Sequence, residues 1–311
     1  MCRYATRNGY GGGGPGSTAG GGDNGSPSTL PSNWTLLPGV LNAVGYRSHA
    51  AGKWHLGFPT VEYTPTGRGF ETWIGYLGGA EDHWDHSTNH GGCPGTDFWQ
   101  GTARAQGPAN NSAYYPQYST YIFGDRHVAT IEAHDPTEPL FIYAPFQNAH
   151  VPHQVPKRFF KLFESKNHGC NWTATKEGRQ AFDCKANPRF PHSPASEDCG
   201  CNRLLVGAMM AALDEAISNM TAALRRKGMW ENTVLVVMGD NGGPVNNGHD
   251  NGPFRGGKLN WWEGGVRPFA FISSPLLRDS PFRGGWYNDS VHETDWFATF
   301  AALARGPLTL I

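Results

Sequence analysis

Asp240 and Asn241 stand where a short apolar run stops. Val234-Leu235-Val236-Val237-Met238 ends in Gly239-Asp240-Asn241-Gly242-Gly243. A carboxylate and a carboxamide therefore sit among glycines that let the backbone turn sharply. Their oxygens are ligands for a hard divalent cation. Lys258 follows in a Gly-rich loop, then Trp261, Trp262 and Glu263-Gly264-Gly265-Val266-Arg267. Two more apolar runs end in chemically competent residues: Tyr46 to Ala51 leads into Lys53 and His55, and Leu140 to Ala144 leads into His150. Together they have a chemical logic. A cation on Asp240 and Asn241 would polarise an anionic ester, and Lys53 and Lys258 would neutralise its remaining oxygens. His55 and His150 would move protons to a nucleophile or a leaving group. Taken singly, each motif also reads as an ordinary feature, a strand-to-loop turn or a hydrogen-bonded structural histidine.

The elements that must position these residues are legible in part. The run 234–238 is continuous and β-branched, which predicts a strand buried on both faces of a parallel sheet. Tyr46 to Ala51, Leu140 to Ala144 and Phe269 to Ile272 are further strand candidates. Ligands of open α/β sheets bind at the carboxyl ends of strands, so the site residues are expected to converge at that edge. Leu36 to Val44 has helical spacing and ends at Gly45. Thr120 to Ala133 is a second helix, closed off by Asp135-Pro136. Leu204 to Leu224 traces one apolar face that Gly228 closes, and Asp295 to Ala304 is a final helix. From Pro59 to Tyr118 the chain shows little periodicity, which predicts long surface loops around a few short elements.

The chain of 311 residues is long enough for one large α/β domain or two smaller ones. Its 25 basic and 26 acidic residues balance, so it carries no nucleic-acid footprint. No apolar run reaches the length of a membrane span, and Met1 to Gly14 has no apolar signal-peptide core. Residues 1–29 are Gly-rich and are expected to be flexible. Four of the six cysteines, Cys170, Cys184, Cys199 and Cys201, lie close together in sequence. They mark 165–202 as an insertion held by at least one disulfide. Glycosylation sequons stand at Asn33, Asn110, Asn171, Asn219 and Asn288. With the clustered cysteines they point to an oxidising, secretory history, in the lysosomal or endomembrane lumen or outside the cell.

Three segments carry a family resemblance. Gly45 to Gly57, with Gly52-Lys53-Trp54-His55-Leu56-Gly57 at its end, resembles the second signature of the sulfatase family. Pro139 to Pro156 resembles the family's His-bearing strand and loop. Gly239-Asp240-Asn241-Gly242-Gly243 with Pro253 to Pro268 resembles its metal and lysine segment. Order and spacing are most similar to arylsulfatases of the B type, over about 30–305 apart from the insertion. The resemblance implies an alkaline-phosphatase-like α/β fold, with a central, mostly parallel mixed sheet and helices on both faces. It implies a sulfuric ester hydrolase, with Lys53, His150 and Lys258 on the sulfate and His55 beside the nucleophile. Asp240 and Asn241 would be calcium ligands. The substrate would be a sulfated small molecule or a sulfated glycan.

The family's nucleophile is a formylglycine made from cysteine in a C-x-P/A-x-R stretch by a formylglycine-generating enzyme. This sequence contains no such stretch: Cys2 is followed by Arg3, Tyr4, Ala5 and Thr6. The segment from Met1 to Tyr10 resembles one that follows the nucleophile. The family's upstream aspartates for calcium and its small C-terminal subdomain are not recognisable either. The expectation is a partial catalytic domain over 30–311, with an incomplete calcium site and no activity as written. Two other readings stay open. One is a non-catalytic binder of sulfated glycans, and the other is a phosphatase or phosphodiesterase on the same fold.

Overall fold

The structure is a computed structural model that describes residues 30–88, 95–101, 103–104, 113–163, 172–174, 180–182 and 202–304. The six cysteines, Asn110, Asn171 and the 1–29 segment lie outside them, as does most of 165–202. Two compact units emerge, residues 1–147 with 285–311, and residues 148–284.

The first unit is built on α1 (Leu37–Asn42), β1 (Arg47–Lys53), β2 (Thr72–Tyr76), β3 (Ser87–Thr88), β4 (Gly95–Thr96), β5 (Trp99–Gln100), β6 (Ala103–Arg104), α2 (Ser119–Ala133) and β7 (Leu140–Tyr143). Its main sheet has the order β6-β5-β2-β1-β7. The centre is parallel: β1 pairs with β2 in the register His49↔Thr72 to Lys53↔Tyr76, and with β7 from Arg47↔Leu140. β5 joins β2 antiparallel, so the sheet is mixed.

Both faces of β1 are covered, which explains its small residues. Side chains alternate along a strand. Ala50 accordingly packs with Trp54, Phe70, Trp73 and Leu77 on one face, and Ala51 packs with Ile74, Tyr76, Phe98, Ile122 and Phe123 of α2 on the other. Near their ends β1 and β2 approach closely. A Cβ on Gly75 would lie 1.9 Å from the Gly52 carbonyl oxygen, and one on Gly52 would lie 2.2 Å from that of Pro145. The glycines thus let three chain segments meet just where β1 delivers Lys53.

The stretch 59–118 corrects the expectation of surface loops. Phe70, Trp73, Ile74, Tyr76, Leu77, Glu81, His83, Asp85, His86 and Phe98 are all buried, and β2 runs beside the central strand. Aromatics, glycines and polar residues carry this part of the core, so no aliphatic period announces it.

The second unit contains α3 (Lys157–Lys161), β8 (Trp172–Ala174), β9 (Gln180–Phe182), α4 (Asn202–Arg226), β10 (Leu235–Met238), α5 (Glu263–Val266) and β11 (Ala270–Ser273). α4 buries Leu205, Ala208, Met209, Ala212, Ala216, Met220 and Ala223, one helical stripe. Full burial of each Leu or Met is worth about 1.5–3 kcal/mol. Gly228, at φ 71°, lets the chain leave the helix. Here the strand expectation is half corrected. β10 exists, but it pairs antiparallel with β11 in a two-stranded sheet, its residues are only part-buried, and Met238 is exposed. An apolar run specifies a strand, not the direction of its neighbour.

α6 (Asp295–Ala304) closes the described chain, within the first unit and against α1. Among the described residues no helix is long and apolar enough to cross a membrane. The fold is α/β, with a mixed sheet and helices.

Candidate functional site

In the first unit, β1 ends at Lys53, whose amide donates to Pro145 O at 2.9 Å. Trp54 and His55 then extend the pairing with the segment after β2, donating to Tyr76 O at 2.9 Å and Leu77 O at 3.0 Å. His55 holds a left-handed backbone, φ 52°. Such a conformation is costly for a residue with a Cβ, and such residues cluster at functional sites. Its imidazole lies over Gly79, where an added Cβ would come within 3.0 Å of Cε1.

Beside this end of the sheet lies a buried polar group that the sequence did not signal. The Asp97 carboxylate accepts from the Leu77 and Gly78 amides at 3.0 and 2.7 Å and from Trp99 Nε1 at 2.8 Å. Glu81 is buried, and among the described residues neither of its carboxyl oxygens has a hydrogen-bond partner. Burial, then the charges of Asp97, Asp82 and Asp85, hold its carboxyl well above the ordinary carboxylate range. The His86 ring stacks on Phe98 at 4.3 Å, and burial pushes its pKa down to about 4.

The second unit brings His150 and Lys258 together. Lys258 Nζ donates to His150 Nε2 at 3.0 Å, and His150 Nδ1 donates to Val151 O at 2.8 Å. The two contacts assign the tautomer, with the proton on Nδ1 and the lone pair of Nε2 on the ammonium. The pair offers an anion one full positive charge and the remaining N–H bonds of Nζ. His249 stands near it. Burial, then His153 and Lys258, push the His249 imidazole down to about 4 against a bond to the Ala149 backbone. Its ring lies 5.6 Å from that of His153, whose Nδ1 is 3.3 Å from Asn202 Oδ1.

Asp240 and Asn241 follow β10 on a loop stitched to the Lys258 loop. Gly242 N donates to Gly265 O at 2.9 Å, and Lys258 N donates to Gly243 O at 3.3 Å. The carboxamide of Asn251 ties both loops. It accepts from Gly243 N at 2.9 Å, and its Nδ2 donates to Gly243 O at 2.8 Å and Gly256 O at 3.1 Å. Asn251 lies within a run of polar and glycine residues, so no pattern singled it out. Of the residues that the sequence selected, Lys53 and His55 thus belong to one unit. His150, Asp240, Asn241 and Lys258 belong to the other.

Asp240 and Asn241 offer a cation one carboxylate and one carboxamide oxygen, and the Asn241 side-chain nitrogen donates to Gly242 O at 2.9 Å. Among the described residues no group of three or more His, Cys, Asp or Glu side chains could hold a metal ion. Calcium takes about six to eight oxygens, so this pair supplies part of a shell.

Comparison with known proteins agrees with these motifs. The chain is 35% identical to mouse arylsulfatase J over 283 residues, 91% of this chain and 41% of that protein. It thus spans less than half the length of that relative. Among solved structures it is similar to Ps i-CgsB in complex with k-i-k-neocarrahexaose, with TM-score 0.68 and 23% identity, covering 91% of this chain and 56% of that one. A structure bound to its substrate D-glucosamine-2-N,6-O-disulfate matches at TM-score 0.50 and 17% identity, over 80% of this chain and 57% of that one. The profile described as Sulfatase matches residues 4–306, and the chain belongs to the sulfatase family.

Proposed function

We propose that this chain carries part of a sulfuric ester hydrolase site, in which His150 and Lys258 grip the sulfate. The 3.0 Å contact between Lys258 Nζ and His150 Nε2 is the observation that carries this reading. A sulfate arriving there meets an ammonium already oriented by an imidazole whose other nitrogen is fixed to the backbone. Such donors need no reorganisation when charge arrives, which is the condition for electrostatic catalysis. Lys53 and His55 match the family's further sulfate-binding and nucleophile-adjacent positions by their place in the Gly52 to Gly57 motif. Asp240 and Asn241 would contribute oxygens to calcium.

Sulfatases generally use a metal ion and a formylglycine, and the latter supplies the nucleophilic oxygen. The 311 residues contain no C-x-P/A-x-R stretch for a formylglycine-generating enzyme to act on, so the test reads binding. Calorimetry with inorganic sulfate at neutral pH is expected to show one site. Lys258→Met should weaken it by about a hundredfold, the scale of a lost charge-assisted bond. Unchanged affinity in Lys258→Met and His150→Ala would overturn the assignment.

The substrate class is a sulfated sugar or a sulfated small molecule. Two similar solved structures, complexes with k-i-k-neocarrahexaose and with D-glucosamine-2-N,6-O-disulfate, support the first. A secreted or lumenal location is part of the same proposal. Asn33, Asn219 and Asn288 are exposed, as glycosylation requires. Loss of mass on deglycosylation of the secreted chain would support it.

A further inference from the structure

Lys258 is followed by a residue that the sulfate pair does not use. Leu259 has φ 76°, a left-handed conformation that costs an L residue with a Cβ about tenfold or more in population. Its side chain is 97% exposed, and Trp261 is 81% exposed. Among the described residues nothing in packing therefore repays the backbone cost. The loop is not loosely held either. Asn260 Oδ1 accepts from Gly257 N and Trp262 N, both at 3.3 Å. Asn260 N donates to Gly257 O at 3.2 Å, and Gly264 N donates to Arg255 O at 2.8 Å. The Arg255 guanidinium lies 3.9 Å from the centre of the Trp262 ring. A cross-tied loop thus holds two apolar side chains out to solvent, one of them in a costly backbone conformation. Strain kept without a packing reason is a mark of function.

We propose that Leu259 and Trp261 form a platform for the sugar ring of a sulfate ester whose sulfate sits on His150 and Lys258. The proposal rests on the sulfate-binding reading above and adds the part of the substrate that carries the sulfate. A pyranose has a face of C–H bonds that packs on aliphatic and aromatic side chains and sheds water there, while its hydroxyls stay wet. In a hexose 6-sulfate one methylene and one ester oxygen separate ring from sulfur, and Leu259 is the chain neighbour of Lys258, about 3.8 Å away between Cα atoms. A ring leaving the ammonium is therefore within reach of the platform, and a bare sulfate has no use for it.

The test compares inorganic sulfate with galactose 6-sulfate by calorimetry on the chain and two variants. The sugar sulfate is expected to bind about tenfold tighter, the scale of a modest apolar contact. Leu259→Gly should abolish that gain and leave inorganic sulfate unchanged. It should also raise the thermal midpoint, because glycine takes the left-handed conformation freely. A leucine with a merely structural role would lower the midpoint when removed. Trp261→Ala, at an exposed position, should lose most of the gain without a change in folding. Sulfate binding with no gain from the sugar overturns the platform alone, and so does a lowered midpoint in Leu259→Gly. Failure to bind sulfate at all overturns the anion pair and the platform with it. Concentration-dependent dimerisation lost in Trp261→Ala, seen by sedimentation velocity, would give the surface to a second copy and overturn the sugar.

Discussion

At the scale of single residues the molecule divides its polar side chains into those it satisfies and those it leaves exposed to a cost. Asp97 accepts three hydrogen bonds in the core, whereas Glu81, buried more deeply, accepts none at its carboxyl among the described residues. A buried carboxyl without partners is tolerable only when neutral. Its raised pKa has a definite consequence for stability. The folded state keeps the proton to higher pH than the unfolded state does. The side chain is therefore least harmful below the unfolded value of 4.5 and costs stability as pH rises toward the folded value. Glu81→Gln removes the titration and keeps the shape. It should stabilise the chain at pH 8 by about 1–3 kcal/mol, the range for a buried group left unsatisfied. The gain should shrink as pH falls to 4. Equal unfolding midpoints for the two proteins at pH 8 would mean that Glu81 has a partner in solution.

Elements show how a loop is made as exact as a strand. Backbone bonds tie the Lys258 loop internally, and the Asn251 side chain supplies what a neighbouring strand would: one acceptor and two donors on Gly243 and Gly256. Asn251→Asp keeps the acceptor and loses both donors. It should cost about 2 kcal/mol, at about 1 kcal/mol for each lost bond. It should also speed hydrogen exchange at the Lys258 amide, while Asn251→Gln restores neither. Unaltered exchange there would show that the glycine backbone sets the loop unaided.

The sequence was legible wherever one physical signal dominated an element. The long stripe of α4, the span of α6, and the strands β1 and β7 all lie close to where period and composition placed them. β10 was found but not its direction, because pairing depends on which strand comes alongside. β2 was missed because its core residues are Trp73, Ile74, Gly75 and Tyr76, whose volumes obey no pattern. Lys53, His55, His150 and Lys258 stood out because chemistry-bearing residues follow apolar runs. Asn251 and Glu81 act through neighbours remote in sequence, and only the folded chain brings those neighbours near.

At the scale of the whole molecule the histidines set a common response to acid. Burial, the largest cause in each case, pushes His86, His127 and His249 down to about 4 from 6.5. His49 and His153 are lowered for the same reason. Below pH 6.5 the unfolded chain takes up protons that the folded imidazoles refuse until about pH 4. Stability is therefore full above 6.5 and is lost progressively as pH falls to 4. Glu81 opposes this, since its folded carboxyl holds a proton that the unfolded one has released. The three imidazoles near 4 take up about three protons against the one that Glu81 gives back, and His49 and His153 add to the uptake, so unfolding near pH 5 takes up about two protons or more. The thermal midpoint should accordingly fall steadily between pH 6.5 and 4. His127 offers the cleanest check, because it lies in the core with Nε2 on Ala51 O at 3.3 Å. His127→Gln keeps an N–H donor and cannot titrate, so it should reduce the pH slope by about one proton. A midpoint that stays flat from pH 6.5 to 4 in the unsubstituted chain would show that these imidazoles charge within the fold.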